Sequence, residues 1–442
     1  MNITDLLQNL ESKGKKNKGD EDSSPQLRFS RHLNGEDDEE DQVDVCDYGT
    51  RDGSVYLWSA THWKLVRDEE VERMAHGWLA RNAPAQCSER MSASCAATAR
   101  LHLKEIPKSR AGVIPLISGS VTVDELGVHH RESSRDDGHT YRIECEYDPL
   151  ANREMFDSFL SEALPNAEVS GFLQEYAGCT LLPDTRYQLA AWLIGAGGTG
   201  KGTFVNIMQS LHRQSVALSL DALDGFKLAG LQSASLVTVD ETPARIDEQR
   251  LKTLISGDSI QIDRKYRDPL TLRPTAKWIV NGNLLPAISD HSSGFWRRWL
   301  IFPFDVVPAK KALSLDESIV SRELAGVLNW CLDGLVRLLS RGEFPPLPVA
   351  MEAAAKQGKQ QSNNVAAWLV DCGVETSSNN WLQRRTIYQL YAGWCAESGT
   401  KAVSSAKFFE RLSVALPDLR EERTMVGGER RYRVNVFVPP QD

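Results

Sequence analysis

From Ser54 onward, apolar positions fall into short runs separated by polar turns, the spacing of a chain that packs strands against helices. Val55-Tyr56-Leu57-Trp58 followed by Trp63-Lys64-Leu65-Val66 predicts a hairpin, and Glu69 to Arg81 and Ser88 to Leu103 predict helices. Val113-Ile114-Pro115-Leu116 and Val121-Thr122-Val123 predict two more strands. Phe156, Phe159, Leu160 and Leu164, then Phe172, Leu173 and Tyr176, recur at the spacing of two amphipathic helices. Leu189-Ala190-Ala191-Trp192-Leu193-Ile194 has no polar alternation and predicts a parallel strand buried on both faces. Phe204, Val205, Ile207, Met208 and Leu211 return to helical spacing. Leu236 to Val239 and Lys277 to Val280 predict further buried strands, Leu251 to Ile255 a short helix, and Ile260 to Leu272 a hairpin. Strands alternating with helices in this way predict an α/β fold with a parallel sheet.

Between the buried strand and its helix lies Gly195-Ala196-Gly197-Gly198-Thr199-Gly200-Lys201-Gly202-Thr203. In a strand–loop–helix context, Gly-x-x-x-x-Gly-Lys is a phosphate cradle: glycines let backbone N–H groups face an anion, and the helix N-terminus adds its dipole. Lys201 is expected to reach the β- and γ-phosphates of a nucleotide. The next residue is ordinarily Ser or Thr, whose hydroxyl binds Mg²⁺, and here it is Gly202. Thr203 is one residue on, turned about 100° around the helix, so the metal is expected to lean on acids elsewhere and on water.

Those acids are Asp240 and Glu241, at the end of Leu236-Val237-Thr238-Val239 and 39 residues beyond Lys201. Acids at the carboxyl end of a parallel strand face the ligand crevice of an open α/β sheet. Asp240 is expected to hold Mg²⁺ through water, and Glu241 to orient and deprotonate the attacking water. Asn283, ending Lys277-Trp278-Ile279-Val280-Asn281-Gly282, can hydrogen-bond a γ-phosphate or that water. The hairpin centre carries Arg264, Lys265, Tyr266 and Arg267, which suit a DNA backbone and a stacked base, or simply keep an exposed turn soluble. Arg297 and Arg298 precede another strand, Trp299 to Phe304, either pairing with a carboxylate or reaching a neighbouring subunit's γ-phosphate.

Composition changes this picture in two places. The net charge of −9 over 442 residues looks wrong for a nucleic-acid binder, but residues 1–50 hold thirteen Asp/Glu against six Lys/Arg and account for −7 of it. Acidity belongs to the tail, whose Lys/Gly run and Glu36–Asp41 block read as disordered, and it does not exclude a basic channel further on. Ile3, Leu6, Leu7 and Leu10 form a short apolar face, a fraying terminus or a docking peptide. The eight cysteines include no C-x-x-C pair, and there is no membrane-length apolar run or leader, so a reduced, cytoplasmic location with no membrane partner is expected. His129, His130 and His139 are expected on a polar surface hairpin rather than at a metal.

Ala325 to Leu339 and Met351 to Val370 predict helices around the breaker Gly342-Glu343-Phe344-Pro345-Pro346-Leu347-Pro348. Residues 384–438 then read as helix, turn, helix and a hairpin closed around Val426-Gly427-Gly428, the order of a winged helix. Ser405, Lys407 and Arg411 are expected to face DNA from its second helix, with Arg430 and Arg431 in the wing, although such modules also bind proteins.

Gly195–Thr203, Leu236–Glu241, the cationic hairpin, Lys277–Pro286 and Phe295–Phe304 together resemble a superfamily-three helicase of the poxvirus and phage/plasmid primase-helicase branch. Ile117–Asp124 and Tyr147–Leu164 resemble the domain preceding the motor in that branch. The resemblance implies a P-loop, AAA+-like motor with a parallel sheet, forming a homohexameric ring on single-stranded or forked duplex DNA, hydrolysing ATP and moving 3′→5′. It assigns Lys201 to the phosphates, Asp240 and Glu241 to metal and water, Asn283 as sensor, Arg298 or else Arg297 as finger, and Lys265 and Arg267 to DNA tracking. Gly-Lys-Gly also occurs in phage and plasmid members. The expected layout is a disordered tail (1–50), a mixed, mainly helical domain (51–184), the ATPase (185–345) and a helix plus winged helix (346–442), with any primase on a separate chain. An ATP-switched DNA-binding initiator or loader without processive unwinding is the alternative.

Overall fold

The computed structural model describes residues 23–36, 47–241, 243, 246–264, 267–286, 288, 293–308, 313–362, 364–398, 402–426 and 429–439. The chain forms two compact units, one of residues up to Ser109 with Ser133–Thr140, the other of Arg110–Glu132 and everything from Tyr141.

In the first unit, β1 (Tyr48–Arg51), β2 (Ser54–Trp58) and β3 (Trp63–Val66) form an antiparallel sheet in that order. Helices α1 (Pro25–Leu33), α2 (Asp68–Asn82) and α3 (Glu89–His102) bury Phe29, Leu33, Val71, Ala75, Leu79 and Ala96 in one core. The tail expected to be disordered over 1–50 is therefore corrected at α1. Ser24 Oγ accepts from Leu27 N, Pro25 opens the helix, and Phe29 and Leu33, one turn apart, are both buried. An average over the neighbouring acidic block hides that pair.

The second unit begins with an antiparallel meander of β4 (Val113–Pro115), β5 (Ser120–Asp124) and β6 (Gly127–Arg131). His129 and His130 lie exposed on β6, whereas His139, placed on the same surface hairpin from sequence, is buried in the first unit. Among the described residues, no group of three or more His, Cys, Asp or Glu is placed to hold a metal ion by itself. Helices α4 (Glu154–Ala163) and α5 (Ala167–Thr180) lead to the central sheet.

That sheet is made of β7 (Ala190–Ile194), β8 (Ser215–Ala217), β9 (Leu236–Val239), β12 (Lys277–Gly282) and β13 (Trp299–Pro303). Its order is β13-β7-β12-β9-β8 and every pairing is parallel, so all five carboxyl ends share one edge. The apolar run of β7 follows from its central place: Ala191 and Leu193 enter one core, Ala190 and Trp192 the other. Helix α6 (Lys201–Leu211) follows β7, and α7 (Glu248–Ser256) precedes the hairpin of β10 (Ile260–Arg264) and β11 (Arg267–Leu272). A short α8 (Ser293–Trp296) leads into β13.

Helix α9 (Leu315–Arg341) crosses α5 at glycines: a Cβ on Gly178 would stand 2.5 Å from Cys331 O, and one on Gly334 2.3 Å from Gln174 O. After α10 (Val349–Ser362), the chain adds α11 (Asn364–Asp371), β14 (Glu375–Thr376), β15 (Leu382–Gln383), α12 (Arg384–Glu397), α13 (Ser405–Ala415), β16 (Glu421–Val426), β17 (Glu429–Val434) and β18 (Val436–Phe437). Trp368, Tyr391, Phe408, Leu412 and Val434 close its core. Among the described residues, no helix is long and apolar enough to cross a membrane.

At the amino edge of the sheet, His212 is fully buried between Thr180 Oγ1 (2.9 Å) and Ser235 Oγ (3.0 Å). Thr180 gives its one proton to Ala177 O, so His212 Nε2 donates to Thr180 and Nδ1 accepts from Ser235. Burial, and then the nearby Lys277 ammonium, push the imidazole pKa from its ordinary 6.5 down to about 3. Between these values the folded chain binds fewer protons than the unfolded chain. The stability contributed by the neutral ring is complete above pH 6.5 and is lost as pH falls toward 3. Folding constants measured by urea titration are expected to drop by up to about tenfold per pH unit from this group below pH 6.5. His212→Gln, which cannot titrate, is expected to flatten the profile between pH 6.5 and 5; an unchanged slope would remove His212 as its source.

Candidate functional site

The carboxyl edge of the sheet is where the chain leaves β7. Gly195, Gly198 and Gly200 take positive φ in the turn it makes, and two of them also meet close neighbours. Gly195 has φ +148° and a Cβ there would meet Phe304 O at 2.0 Å, because Phe304 N donates to Ile194 O (2.7 Å) and draws the end of β13 against the loop. Gly200 has φ +93° and lies against the Phe159 ring and Ala163 of α4, leaving 2.9 Å to an added Cβ. Thr199 is buried and its Oγ1 donates to Ala196 O (3.0 Å). The loop then opens α6, whose first N–H groups have no helical acceptor.

Lys201 lines the cleft with its side chain folded back on the loop. Its Nζ is turned under the loop, donating to Gly195 O (2.7 Å) and Ala196 O (2.7 Å), with Thr199 Oγ1 at 3.2 Å. Burial lowers the lysine pKa from its ordinary value. The ammonium thus holds the loop closed through carbonyls that an incoming anion can replace. Gly202 and Gly197 face open space, with no atom within 4 Å of an added Cβ. The missing Ser or Thr at Gly202 is therefore not a steric requirement of the fold.

Asp240 and Glu241 leave β9 exposed, and Thr238 beneath them is tied to α6 by Gln209 Nε2 (2.6 Å). Asn283 leaves β12, the strand lying between β7 and β9. Gly197–Thr203, Asp240, Glu241 and Asn283 all line a single cleft of about 1240 Å³. Its far wall comes from α4 (Glu154, Met155, Ser158, Phe159, Glu162), which sequence reading treated only as a packing helix. Helix α4 is itself fixed by Glu323 of α9, a buried carboxylate accepting from Met155 N (3.0 Å) and Phe156 N (2.9 Å). The cleft offers helix N–H donors and a lysine on one side and carboxylates on the other. That set fits a polyphosphate carrying a divalent cation.

The two arginines separate. Arg297 is exposed. Arg298 folds back, Nε and Nη2 donating to Ser256 Oγ (2.9 and 2.7 Å) and Nη1 to Gly294 O, and burial lowers its pKa. Arg298, first choice as finger from sequence, is engaged by Ser256 and Gly294 of the same chain, and Arg297 is the one presented outward.

In the hairpin, Ile260, Ile262, Leu270 and Leu272 face the core. Lys265 and Tyr266 lie outside the described residues, and Arg264 and Arg267 are strand ends paired across the tip. Beside β10, the 3-10 segment Gly225–Gln232 presents Phe226, 60% exposed, and Lys227, a pair that sequence reading missed because no periodicity marks it. In the C-terminal module, Lys407 is half-buried and Arg431 exposed. Arg411, expected on a DNA-facing surface, is corrected: it is 7% exposed and donates to Asn364 Oδ1 (3.3 Å) and Ile288 O (3.2 Å). Helix α13 turns the Phe408–Leu412 face inward, and Arg411 travels with it.

Residues 193–298 match a family described as a family of unknown function (DUF5906), a span that takes in the loop, the acids, the hairpin and Asn283. The chain is similar to the A-form apo structure of the NrS-1 C-terminal region at 10% identity and TM-score 0.47, over 87% of this chain and 94% of that one. It is also similar to the apo structure of NrS-1 C-terminal region (305–718), at 10% identity and TM-score 0.46, over 87% and 94%.

Proposed function

We propose that this chain is an ATP-dependent DNA helicase of a phage, plasmid or related element, an AAA+-like motor working as a ring on single-stranded DNA. The observation that supports it most is the convergence of the glycine loop, the acid pair and Asn283 on one cleft at the carboxyl edge of a parallel sheet. Lys201 exchanges the Gly195 and Ala196 carbonyls for the phosphates of ATP, and the α6 N–H groups complete the cradle. Asp240 would hold Mg²⁺, which would supply neutralisation of charge at the transferring phosphoryl group. Glu241 orients the water and takes its proton, and Asn283 senses the γ-phosphate. Arg297 reaches the pocket of the neighbouring subunit.

DNA binding is assigned to the hairpin tip with Phe226 and Lys227, a cationic and aromatic pair suited to backbone and base. The module of α12, α13, β16 and β17 reads as a winged helix offering Lys407, Arg423 and Arg431. Turnover is expected to rise on adding single-stranded DNA, with ring-sized particles in ATP and displacement of a strand from a forked duplex. Duplex binding without strand displacement would transfer the chain to the initiator class.

Arg297→Ala is expected to bind ATP normally and hydrolyse it about 10³-fold more slowly, the lower range for loss of such a finger. Arg298→Ala is expected instead to lower thermal stability, since Ser256 and Gly294 lose their donor. Full turnover by Arg297→Ala would reject completion of the pocket by a neighbour.

A further inference from the structure

Beyond the end of β12, residues 284–286 and Ile288 are held from outside the sheet. Leu284, Leu285 and Pro286 line the nucleotide cleft. Behind them Leu285 presses on α10 so closely that a Cβ on Gly358 would be 2.2 Å from Leu285 Cδ1. Ile288 is 1% exposed, and its carbonyl accepts from Arg411 of α13. The other arm of that guanidinium donates to Asn364, the first residue of α11. Further along, Lys359 of α10 lies 5.3 Å over the Trp296 ring, beside Arg297.

A buried guanidinium tolerates the loss of an acceptor poorly, because the stranded donor keeps its full desolvation penalty. Movement of the Ile288 carbonyl therefore either carries Arg411 with it or breaks a charged hydrogen bond. Arg411 sits in a rigid setting: Tyr391 and Phe408 stack at 4.6 Å within the same core. A shift of the loop under a bound γ-phosphate is thus delivered to α13 as a displacement of a packed helix.

We propose that Arg411 is a positioning residue that couples Ile288, and with it the cleft-lining residues 284–286, to the C-terminal module, relaying occupancy of the nucleotide cleft to α13. This rests on the reading of the cleft as an ATP site. The relay makes DNA affinity of the module depend on the nucleotide, and by reciprocity makes DNA on the module alter nucleotide affinity.

The test is hydrogen–deuterium exchange on the full chain with and without ATP and Mg²⁺, followed at residues 195–203 and 405–416. Protection is expected in both segments for the wild-type chain. In Arg411→Lys, which keeps the buried charge and alkyl stem but not the two-armed reach, protection is expected at 195–203 and is lost at 405–416. Turnover by Arg411→Lys is expected to fall about tenfold in kcat, the effect of weakening one charged hydrogen bond, with KM within about twofold of wild type. Protection at 195–203 without any change at 405–416 in the wild-type chain would overturn the relay and leave the nucleotide site standing. So would an Arg411→Lys chain that relays as wild type does. Absence of protection at 195–203 would remove the nucleotide site itself, and the relay with it.

Discussion

Replacing Lys201 with alanine is expected to abolish ATP hydrolysis and strand displacement together while leaving the chain folded. The reasoning depends on where the ammonium lies. It donates to the Gly195 and Ala196 carbonyls under the loop, and burial already disfavours its charged form. Its loss leaves two carbonyls near the mouth of an open cleft, where water can replace it, so the melting temperature should move little. In the loaded cleft, by contrast, Lys201 is the one cationic side chain among the described residues that line it. Loss of a preorganised charge at a reacting phosphoryl group is expected to lower kcat by about 10²–10³-fold or more. Turnover and unwinding measured on the same preparation decide the matter: unwinding retained without Lys201 would refute the site.

A Gly195→Ala chain is expected to fail for a different reason. The added methyl group meets Phe304 O at 2.0 Å in a backbone region that L residues avoid. Either the loop or the end of β13 must move, breaking the Phe304 N to Ile194 O bond that joins the two strand ends. Combined overpacking and backbone strain are expected to destabilise the unit by about 3 kcal/mol or more, read as a lower urea midpoint. Gly197→Ala is the companion measurement. Nothing lies within 4 Å of its added Cβ, so the fold should be unaffected. Any weakening of ATP binding in Gly197→Ala then reports the close approach of backbone to phosphate. Equal stability loss in both variants would contradict the geometry of the loop.

The strand–loop–helix, the acid pair and the hairpin were legible in the sequence because each is local. Period and turn residues alone specify them, and β7 announces its two buried faces by lacking any polar alternation. What was illegible depended on a partner far along the chain. Arg411 looks like a surface residue on any helical wheel until Ile288 and Asn364 are placed beside it. Arg298 reads as a finger until Ser256, at the end of α7, is seen to occupy its guanidinium. Helix α4 carries an ordinary apolar face, and only the packing of Gly200 on Phe159 reveals that its other side walls the cleft. Helix α1 was masked by the acidic residues that follow it. Even Lys277, read simply as the start of a strand, is buried and caps Leu182 O (2.6 Å) and Thr275 O (3.0 Å).

The place of β12 in the sheet has one more consequence. It separates the strand that ends in the glycine loop from the strand that ends in the acids, so these two groups stand two strand spacings apart, roughly 9.5 Å. Backbone ladders set that gauge, and no change of side chain or loop length can narrow it. Across that gap the lysine ammonium is held by the Gly195 and Ala196 carbonyls, while Asp240 and Glu241 stand exposed on the other side. Under the proposed function a nucleotide with its cation would span it, and Asn283, at the end of the strand in between, would stand near the middle of that span.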